Sequence, residues 1–438
     1  MSSRQLKTGY FFLEGLNSFA TVYYAWYLYF FMQKKFGFDN KANLALAALN
    51  GLICMFASWW GGKFAQRFGY FTALKLGFAI MAGALAAGSQ IHSASGQVLV
   101  MAAMVIGMCF TWPTLEALVS EGEAPAGLQR MIGIYNMVWA GTGALAYFSG
   151  GALLEILGLK SMFYVPVAIF LIQLAFTFWL ESQSRLSARR SSDPTSSLPM
   201  DIRLQKDRDP LLPLTPAISP SEEEREHTGS NFPASSSPMP ESNPRPIAKA
   251  KAFLRMAWLA NPFAYIAVNT LLAVIPGLAK KLGLSTTLAG FYCSLWCFSR
   301  LASFLALWLW DGWHYRFRWL LLAYAALVAT FAILLLSPNL AVLIATQIVF
   351  GLALGLIYSS SLFYSMDVGE TKGEHGGIHE AAIGLGNFAG PAVGAASLHF
   401  LPSFPNSGAL AVTALLLLGL GGLLTIWRIS SSSSSSPS

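Results

Sequence analysis

The sequence predicts an all-α integral membrane protein in which twelve transmembrane helices form two pseudo-symmetric bundles of six helices each. Three observations lead to this fold class: an apolar composition, a series of long apolar segments and an internal repeat. Hydrophobic residues make up 55% of the 438 residues and charged residues only 11%, whereas an ordinary soluble chain is about 25% charged. Most of this apolar surface must therefore face lipid.

Twelve apolar segments are each long enough to cross a hydrocarbon layer of about 30 Å as a helix. The first segment is longer than the core of a signal peptide and lacks a following small-residue cleavage site, so we expect it to be a retained span. The segments lie at 9–32, 44–61, 72–91, 97–119, 131–157, 161–180, 255–279, 286–309, 317–336, 339–364, 377–400 and 408–427.

An internal repeat divides the chain into two related halves. Three features of the first half recur in corresponding places after a nearly constant shift of about 244 positions. The matched pairs are Gly133 with Gly377, Gly107 with Gly351, and Lys34 with Lys280. The sequence therefore predicts an N-terminal bundle over residues 1–180 and a C-terminal bundle over residues 253–429.

The polar stretch 181–252 separates the two bundles. It is rich in Ser and Pro and has too little apolar area to fold alone. We expect it to be a disordered cytoplasmic linker, and we expect the serine-rich end, 430–438, to be a low-complexity tail.

The distribution of Lys and Arg predicts the orientation in the membrane. Most of these residues fall in loops on the same side as both termini, and the positive-inside rule assigns that side to the cytoplasm. Topology thus explains the net charge of +7, and no nucleic-acid partner is expected. The lack of N-glycosylation acceptors and of a transit segment favours a plasma membrane, specifically a bacterial inner membrane.

No feature of the sequence indicates an enzyme, a metal site or a cofactor. The four cysteines lie inside apolar segments, and Cys293 and Cys297, although one helical turn apart, have no His or carboxylate at matching spacing. No phosphate-binding glycine loop, nucleotide motif or nucleophile elbow is present. ATP-driven pumping is therefore unsupported.

Two local motifs add to this architecture. The loop after the second segment begins with Gly62 and ends with Gly69, and it carries Arg67 between them. The eleventh segment carries a glycine–proline pattern. That pattern consists of Gly386, Gly390, Pro391 and Gly394.

With the two six-helix halves, these motifs resemble the major facilitator superfamily of transporters, over the whole chain except the linker and tail. The glycine–proline pattern is similar to one best known from the fifth span of antiporters, where this chain keeps only Gly150 and Gly151. In the loop motif, Gln66 replaces the family's Asp. Asp311 and Arg316 occupy the equivalent loop of the second half.

The resemblance implies transport by alternating access, in which two bundles rock about a central site. Small residues let helices approach closely, and proline removes a backbone hydrogen bond, so both are typical of a moving seam. The alternative is tight static packing. The residues we expect to act in the conformational change are Gly62, Arg67, Gly69, Gly150, Asp311, Arg316, Gly386, Gly390, Pro391 and Gly394.

Polar residues at helical spacing inside the apolar segments predict a central cavity, because such residues cannot face lipid at low cost. Any one of them could instead form a helix–helix hydrogen bond. The predicted cavity residues are Asn17, Thr21, Tyr24, Asn136, Trp139, Tyr265, Asn269, Tyr292, Trp296 and Asn387.

Ionisable residues inside the segments predict a proton-coupling site. Arg300 and Glu380 could reach each other if the eighth and eleventh segments adjoin, and we expect a pair that forms in one state and breaks in the other. A static ion pair is the alternative. Glu14 faces the polar stripe of the first segment and is a second candidate. His379 could relay protons or be a wetted loop residue, and Glu116 is expected to be solvated near a segment end.

These observations predict a secondary active transporter that moves a small organic molecule by alternating access, coupled to protons, with export favoured. One alternative is a proton-coupled uptake symporter for a sugar or an organic anion, in which Arg300 would bind the negative group. A passive facilitator and a non-transporting sensor with the same fold also stay open. We expect a monomer in the lipid bilayer, with substrate and protons as its partners.

Overall fold

The computed structural model describes residues 3–123, 125–192, 244–337, 339–368 and 372–433. Over these ranges the chain is almost entirely helical, with short loops between helices. The helices are α1 (Ser3–Phe36), α2 (Asn40–Phe68), α3 (Tyr70–Gly88), α4 (Ala94–Ser120), α5 (Pro125–Ile156), α6 (Ser161–Ser192), α7 (Pro244–Lys281), α8 (Thr286–Cys293), α9 (Leu295–Leu309), α10 (Phe317–Leu336), α11 (Leu340–Val368), α12 (Lys372–Phe400) and α13 (Ser407–Ser433).

Ten segments within the described ranges are long and apolar enough to cross a membrane. They are α2 to α7, the α8–α9 pair, α10, α11 and α13. The other two long helices, α1 and α12, carry polar residues and pack among the ten. The all-α fold of twelve spans is therefore confirmed.

Two sets of helices pack mainly among themselves. In the first half, α3 packs against α4 and α6, and α1 packs against α5 and α6. In the second half, α7 packs against α11, α12 and α13, and α10 packs against α11 and α13. Two seams join the halves: α2 lies against α12, and α5 lies against α8 and α9.

The eighth predicted segment is two helices separated by Ser294. The Ser294 residue has φ −87° and ψ −8°, and its carbonyl accepts from the Cys297 amide over 2.9 Å. This three-residue step is tighter than the four-residue step of an α-helix. The same carbonyl also accepts from the Phe298 amide over 3.4 Å, and the Ser294 amide donates to the Gly290 carbonyl over 3.2 Å, so the four-residue pattern continues across this step.

The helices extend beyond the predicted bundle boundaries. The α6 helix continues to Ser192 and α7 begins at Pro244, so both ends of the predicted linker 181–252 are helical rather than disordered. The middle of that stretch, 193–243, lies outside the described residues. Similarly, α13 runs to Ser433, into the predicted tail.

Ion pairing explains why α6 continues past residue 180. The Glu181 carboxylate contacts Lys75 of α3 at 2.9 Å and Arg185, one turn later in α6, at 2.7 Å. Pairs four residues apart stabilise a helix, and the contact with α3 fixes this turn to the bundle.

The two halves are closed at the end where α1 finishes and α8 starts. We name it the outer end, because the charge distribution predicts that it faces away from the cytoplasm. Lys34 Nζ donates to Thr286 Oγ1 over 2.5 Å. The Glu155 carboxylate accepts from the backbone amide and the hydroxyl of Thr287, at 3.2 and 2.5 Å.

The seam between α5 and the α8–α9 pair widens away from the outer end. Near that end, a Cβ atom on Gly151 would overlap the Thr286 carbonyl. Near the other end, a Cβ atom on Gly133 would lie 3.8 Å from the Trp308 ring, which is ordinary side-chain contact. The two backbones therefore touch at the outer end and diverge towards the opposite, inner end.

Candidate functional site

A cavity lies between the halves. The first half contributes α1, α2, α4 and α5 to its wall, and the second half contributes α7, α9, α11 and α12. These sets correspond to each other under the sequence repeat, because α1 matches α7, α2 matches the α8–α9 pair, α4 matches α11 and α5 matches α12. The cavity is thus centred between equivalent elements of the two bundles.

Most of the polar residues predicted from helical spacing lie in this wall. Their spacing of three or four residues keeps them on the inward face of each helix, while the remaining faces meet lipid or other helices. The predicted residues that line the cavity are Thr21, Tyr24, Asn136, Trp139, Tyr265, Asn269, Asn387 and Arg300.

Three predicted cavity residues lie elsewhere. Asn17 is fully buried beside the wall, and neither of its side-chain polar atoms has a hydrogen-bond partner among the described residues. Trp296 lies behind the wall and stacks on Trp26, with ring centroids 5.5 Å apart. Tyr292 lines a smaller cavity inside the second half.

Glu14 lies just behind the wall and is fully buried. The Ser18 hydroxyl donates to one of its carboxyl oxygens over 2.6 Å, and the Tyr135 hydroxyl donates to the other over 3.0 Å. Tyr135 lines the cavity, so a single hydroxyl group separates Glu14 from the cavity space. No described cation forms an ion pair with Glu14.

Glu116 differs from its predicted position at a solvated segment end. The α4 helix continues to Ser120, and Glu116 is half-buried and lines the central cavity. It therefore lies on the same side of the cavity as Tyr135 and Glu14, all three within the first half.

Arg300 is the charged residue of the wall in the second half. Only 6% of it is exposed, and its guanidinium lies 4.4 Å from the ring centroid of Trp139 and 5.0 Å from that of Trp296. The side chains of Glu380 and His379 lie outside the described residues. The pairing of Arg300 with Glu380 therefore stays a prediction.

Two polar contacts cross the cavity region. Asn269 of α7 donates to the side-chain oxygen of Asn387 in α12, within the second half. Tyr358 of α11 donates to the side-chain oxygen of Asn136 in α5 over 3.4 Å, and the Tyr358 ring also stacks on Trp139 at 5.9 Å. The second contact links the halves directly beside Arg300.

The glycines of α12 face two different neighbours. A Cβ atom on Gly390 would lie 2.6 Å from the carbonyl of Ile266 in α7, and Gly386 also packs on α7, so both serve packing within the second half. Gly394 instead faces Leu44 of α2, across the seam, at 3.3 Å.

Pro391 also bears on the seam. Proline has no amide hydrogen, so it leaves the carbonyl four residues earlier, that of Asn387, without its helical hydrogen bond. That carbonyl faces Gly51 of α2, and a Cβ atom there would overlap it. The α2–α12 seam therefore has backbone against backbone at the level of the cavity.

In the first half, Gly150 packs against Tyr23 and Tyr27 of α1, whereas its neighbour Gly151 forms the seam with α8. The contacts of Gly150 and Gly151 thus differ from each other in the same way as the contacts of the α12 glycines do. One glycine permits packing within a half, and the next permits packing between halves.

The predicted loop residues lie at the inner end. Gly69 has φ +93°, and its amide donates to the Ala65 carbonyl over 2.9 Å. The turn between α2 and α3 therefore requires a glycine at this position. A Cβ atom on Gly62 would meet open space. Arg67, Asp311 and Arg316 are exposed.

Sequence reasoning missed several residues of the wall. Three methionines on one face of α4 and the aromatic residues Trp112 and Tyr358 line the cavity without any polar pattern to mark them. The available signals were the methionine spacing of three and four residues and Pro113, which follows in the same helix. The missed wall residues include Met101, Met104, Met108, Trp112, Glu116 and Tyr358.

Comparison with known proteins places this architecture among transporters. A family model described as Major Facilitator Superfamily matches residues 16–391. No curated protein matches the sequence. Among solved structures, the nucleoside transporter NupG (D323A mutant) is similar with a TM-score of 0.62 and 14% identity, over 98% of this chain and 99% of that one. The human organic anion transporter MFSD10 (TETRAN) has a TM-score of 0.60 and 14% identity, over 97% and 100%. At this identity the two structures share only the fold with this chain.

Proposed function

The chain belongs to the major facilitator superfamily, and from this premise we propose that it moves a small organic molecule across the membrane by alternating access, coupled to protons and in the direction of export. The observation that carries the proposal is a cavity between the two halves that is closed at one end by contacts between those halves. Alternating access requires such a site, since each bundle must be able to expose it in turn.

The outer-end contacts are suited to repeated opening. Lys34 with Thr286, and Glu155 with Thr287, are small hydrogen-bonded groups near the surface. Exposed pairs of this kind contribute about 0–1 kcal/mol each, so they can hold a closed end without making its opening prohibitive.

The surroundings of Glu14 support coupling to protons. A buried carboxyl whose described partners are the two hydroxyls of Ser18 and Tyr135, rather than a cation, can exchange a proton when the cavity brings water to Tyr135. Glu116, which already lines the cavity, would supply a path between Glu14 and water. Proton transfer at this site would then bias which end of the cavity is open.

Export is supported by the glycine–proline pattern of α12, which resembles an antiporter motif of the family. The second candidate is uptake of an organic anion, and Arg300 favours it, because the guanidinium is directed into an otherwise mostly apolar wall. The direction of transport depends on which gradient drives the cycle. The experiment must therefore measure how accessible the cavity is from each side of the membrane.

Two native cysteines offer that measurement without knowledge of the substrate. Cys54 lines the cavity, whereas Cys297 is fully buried in the second half. Variants that retain only one of these cysteines are labelled in sealed vesicles of either orientation with a small, membrane-impermeant thiol reagent. We expect Cys54 to react from both sides and the ratio of the two rates to change on acidification. Cys297 serves as the matched control and should stay unreactive.

Two results would count against the proposal. Reaction of Cys54 from one side alone at every pH would indicate a protein locked with its cavity open to that side. Reaction of Cys54 from both sides, with a ratio of the two rates that does not change with pH, would indicate a passive facilitator rather than a proton-coupled transporter.

A further inference from the structure

Arg300, a cation in the described part of the cavity wall, indicates the chemical class of the substrate. We propose that the cavity binds a small organic anion with a planar, apolar body, and that the Arg300 guanidinium holds its carboxylate. The inference rests on the proposed function, since it concerns the same cavity, and it adds what the cavity recognises.

Arg300 has donor capacity that the described part of the protein leaves unused. Its Nε atom is buried and has no hydrogen-bond partner among the described residues, and no described carboxylate forms an ion pair with it. The faces of Trp139 and Trp296 stabilise the positive charge. These rings do not take the place of a carboxylate, which pairs with the guanidinium through two parallel hydrogen bonds.

The backbone around Arg300 is held rigidly by two glycines of α11. A Cβ atom on Gly351 would lie 3.0 Å from the Arg300 amide nitrogen, and one on Gly355 would lie 3.2 Å from the Arg300 carbonyl oxygen. The absence of side chains there lets α9 and α11 touch. The guanidinium is therefore presented from a fixed backbone, as a specific binding group requires.

Further donors of the same wall also lack partners. Thr21, Tyr24 and Trp112 line the cavity, and their side-chain polar atoms are buried and have no hydrogen-bond partner among the described residues. The indole nitrogen of Trp112 can only donate. A wall that contains a cation and several unused donors favours a ligand rich in acceptors, and an anion meets that requirement.

The rest of the wall favours a flat, apolar body. Trp139 and Tyr358 stack across the two halves with an interplanar angle of 22°, and Asn269 and Asn387 already bond to each other. Because these two amides are bonded to each other, fewer polar partners are left for a sugar, whereas a flat ring can pack against the other rings of the wall. The aromatic residues of the wall are Tyr24, Trp26, Tyr29, Trp112, Tyr135, Trp139, Tyr265 and Tyr358.

The position of Arg300 also connects binding to movement. Its own helix belongs to the second half, but Trp139, the nearer of its two ring partners, belongs to the first half. A carboxylate bound at Arg300 would change how strongly the guanidinium holds the Trp139 face. Anion binding would therefore alter a contact between the two halves.

The test measures equilibrium binding to the purified full-length protein by tryptophan fluorescence and by calorimetry. The probes are benzoate, cinnamate and 2-naphthoate, each compared with its uncharged amide. We expect at least one carboxylate to bind at least about tenfold more tightly than its amide. Arg300→Gln should remove this preference, and Arg300→Lys should retain part of it, because lysine keeps the charge without the planar fork.

Two controls separate recognition from folding and from transport. Arg318→Gln removes an exposed cation outside the cavity and should leave the preference unchanged. Arg300→Gln should still elute as a single species, so that a lost preference is not a loss of folding. If no carboxylate binds better than its amide, or if the preference survives in Arg300→Gln, the inference is wrong. In either case the two-sided reactivity of Cys54 would still decide the transport mechanism independently.

Discussion

The two walls of the cavity come from duplicated bundles, yet they carry opposite chemistry. The first half contributes carboxyl groups, Glu116 in the wall and Glu14 behind it, with hydroxyl partners. The second half contributes the Arg300 guanidinium and the bonded amides of Asn269 and Asn387. Over the described residues, the first half thus forms an acidic side of the cavity and the second half a cationic side.

This difference indicates a division of labour between parts that move relative to each other. A proton taken up by the first half and an anion held by the second half can influence each other through contacts that cross between the halves. At the cavity wall, those contacts include Trp139 with Arg300, and Asn136 with Tyr358. Substitutions at the seam, at the acidic side of the cavity and at the outer contacts should therefore all change the same quantity. That quantity is the ratio of the Cys54 reaction rates from the two sides of the membrane.

The largest effect is expected from a wedge at the seam. Gly151→Leu would place a side chain where a Cβ atom alone overlaps the Thr286 carbonyl. Overpacking of this kind costs about 1–3 kcal/mol, and opening the outer end relieves it. We expect the Cys54 ratio to shift towards the outer side by about tenfold. Gly83→Leu is the matched control, since a Cβ atom on Gly83 meets open space. An unchanged ratio in Gly151→Leu would show that this seam does not open.

The second effect concerns the acidic side. Glu14→Gln preserves the shape of the side chain and removes the exchangeable proton, although its NH2 group must donate to one of the two hydroxyls that donate to the carboxyl group of Glu14. We expect the change in the Cys54 ratio on acidification to be lost, while two-sided reactivity remains. Glu181→Gln, in an ion pair away from the cavity, should keep the pH response. A normal pH response in Glu14→Gln would assign proton coupling to another residue, with Glu380 the next to examine.

The smallest effect is expected at the outer contact itself. Thr287→Val removes the hydroxyl that donates to Glu155 over 2.5 Å but keeps the backbone amide bond to the same carboxylate. Because exposed pairs contribute less than about 1 kcal/mol, the Cys54 ratio should move by only about twofold. A shift as large as that of Gly151→Leu would mean that this contact, rather than backbone packing, closes the outer end.

The sequence was sufficient for the fold and for much of the cavity, because lipid penalises polar groups on every other face. Thr21, Asn136, Asn269 and Arg300 were identifiable on that ground alone. The methionine face of α4 was not, since Met101 and its neighbours look like any lipid-facing residue.

Two other features depend on tertiary structure. Tyr292 lines the smaller cavity because of how α8 packs within the second half, which its spacing along the sequence does not show. The α6 helix continues past residue 180 because Glu181 pairs with Lys75, and this pairing requires α3 and α6 to be adjacent. Local propensity carries no information about such a partner.

If the two halves rock as bodies about the cavity, distances between spin labels on the two halves must change in opposite directions at its two ends. One label pair at exposed positions of the outer end, Lys41 and Lys281, is compared with one at the inner end, Gln66 and Arg318. On acidification or on addition of a bound carboxylate, we expect one distance to lengthen while the other shortens. Two distances that stay fixed under every condition, or that change in the same direction, would contradict it.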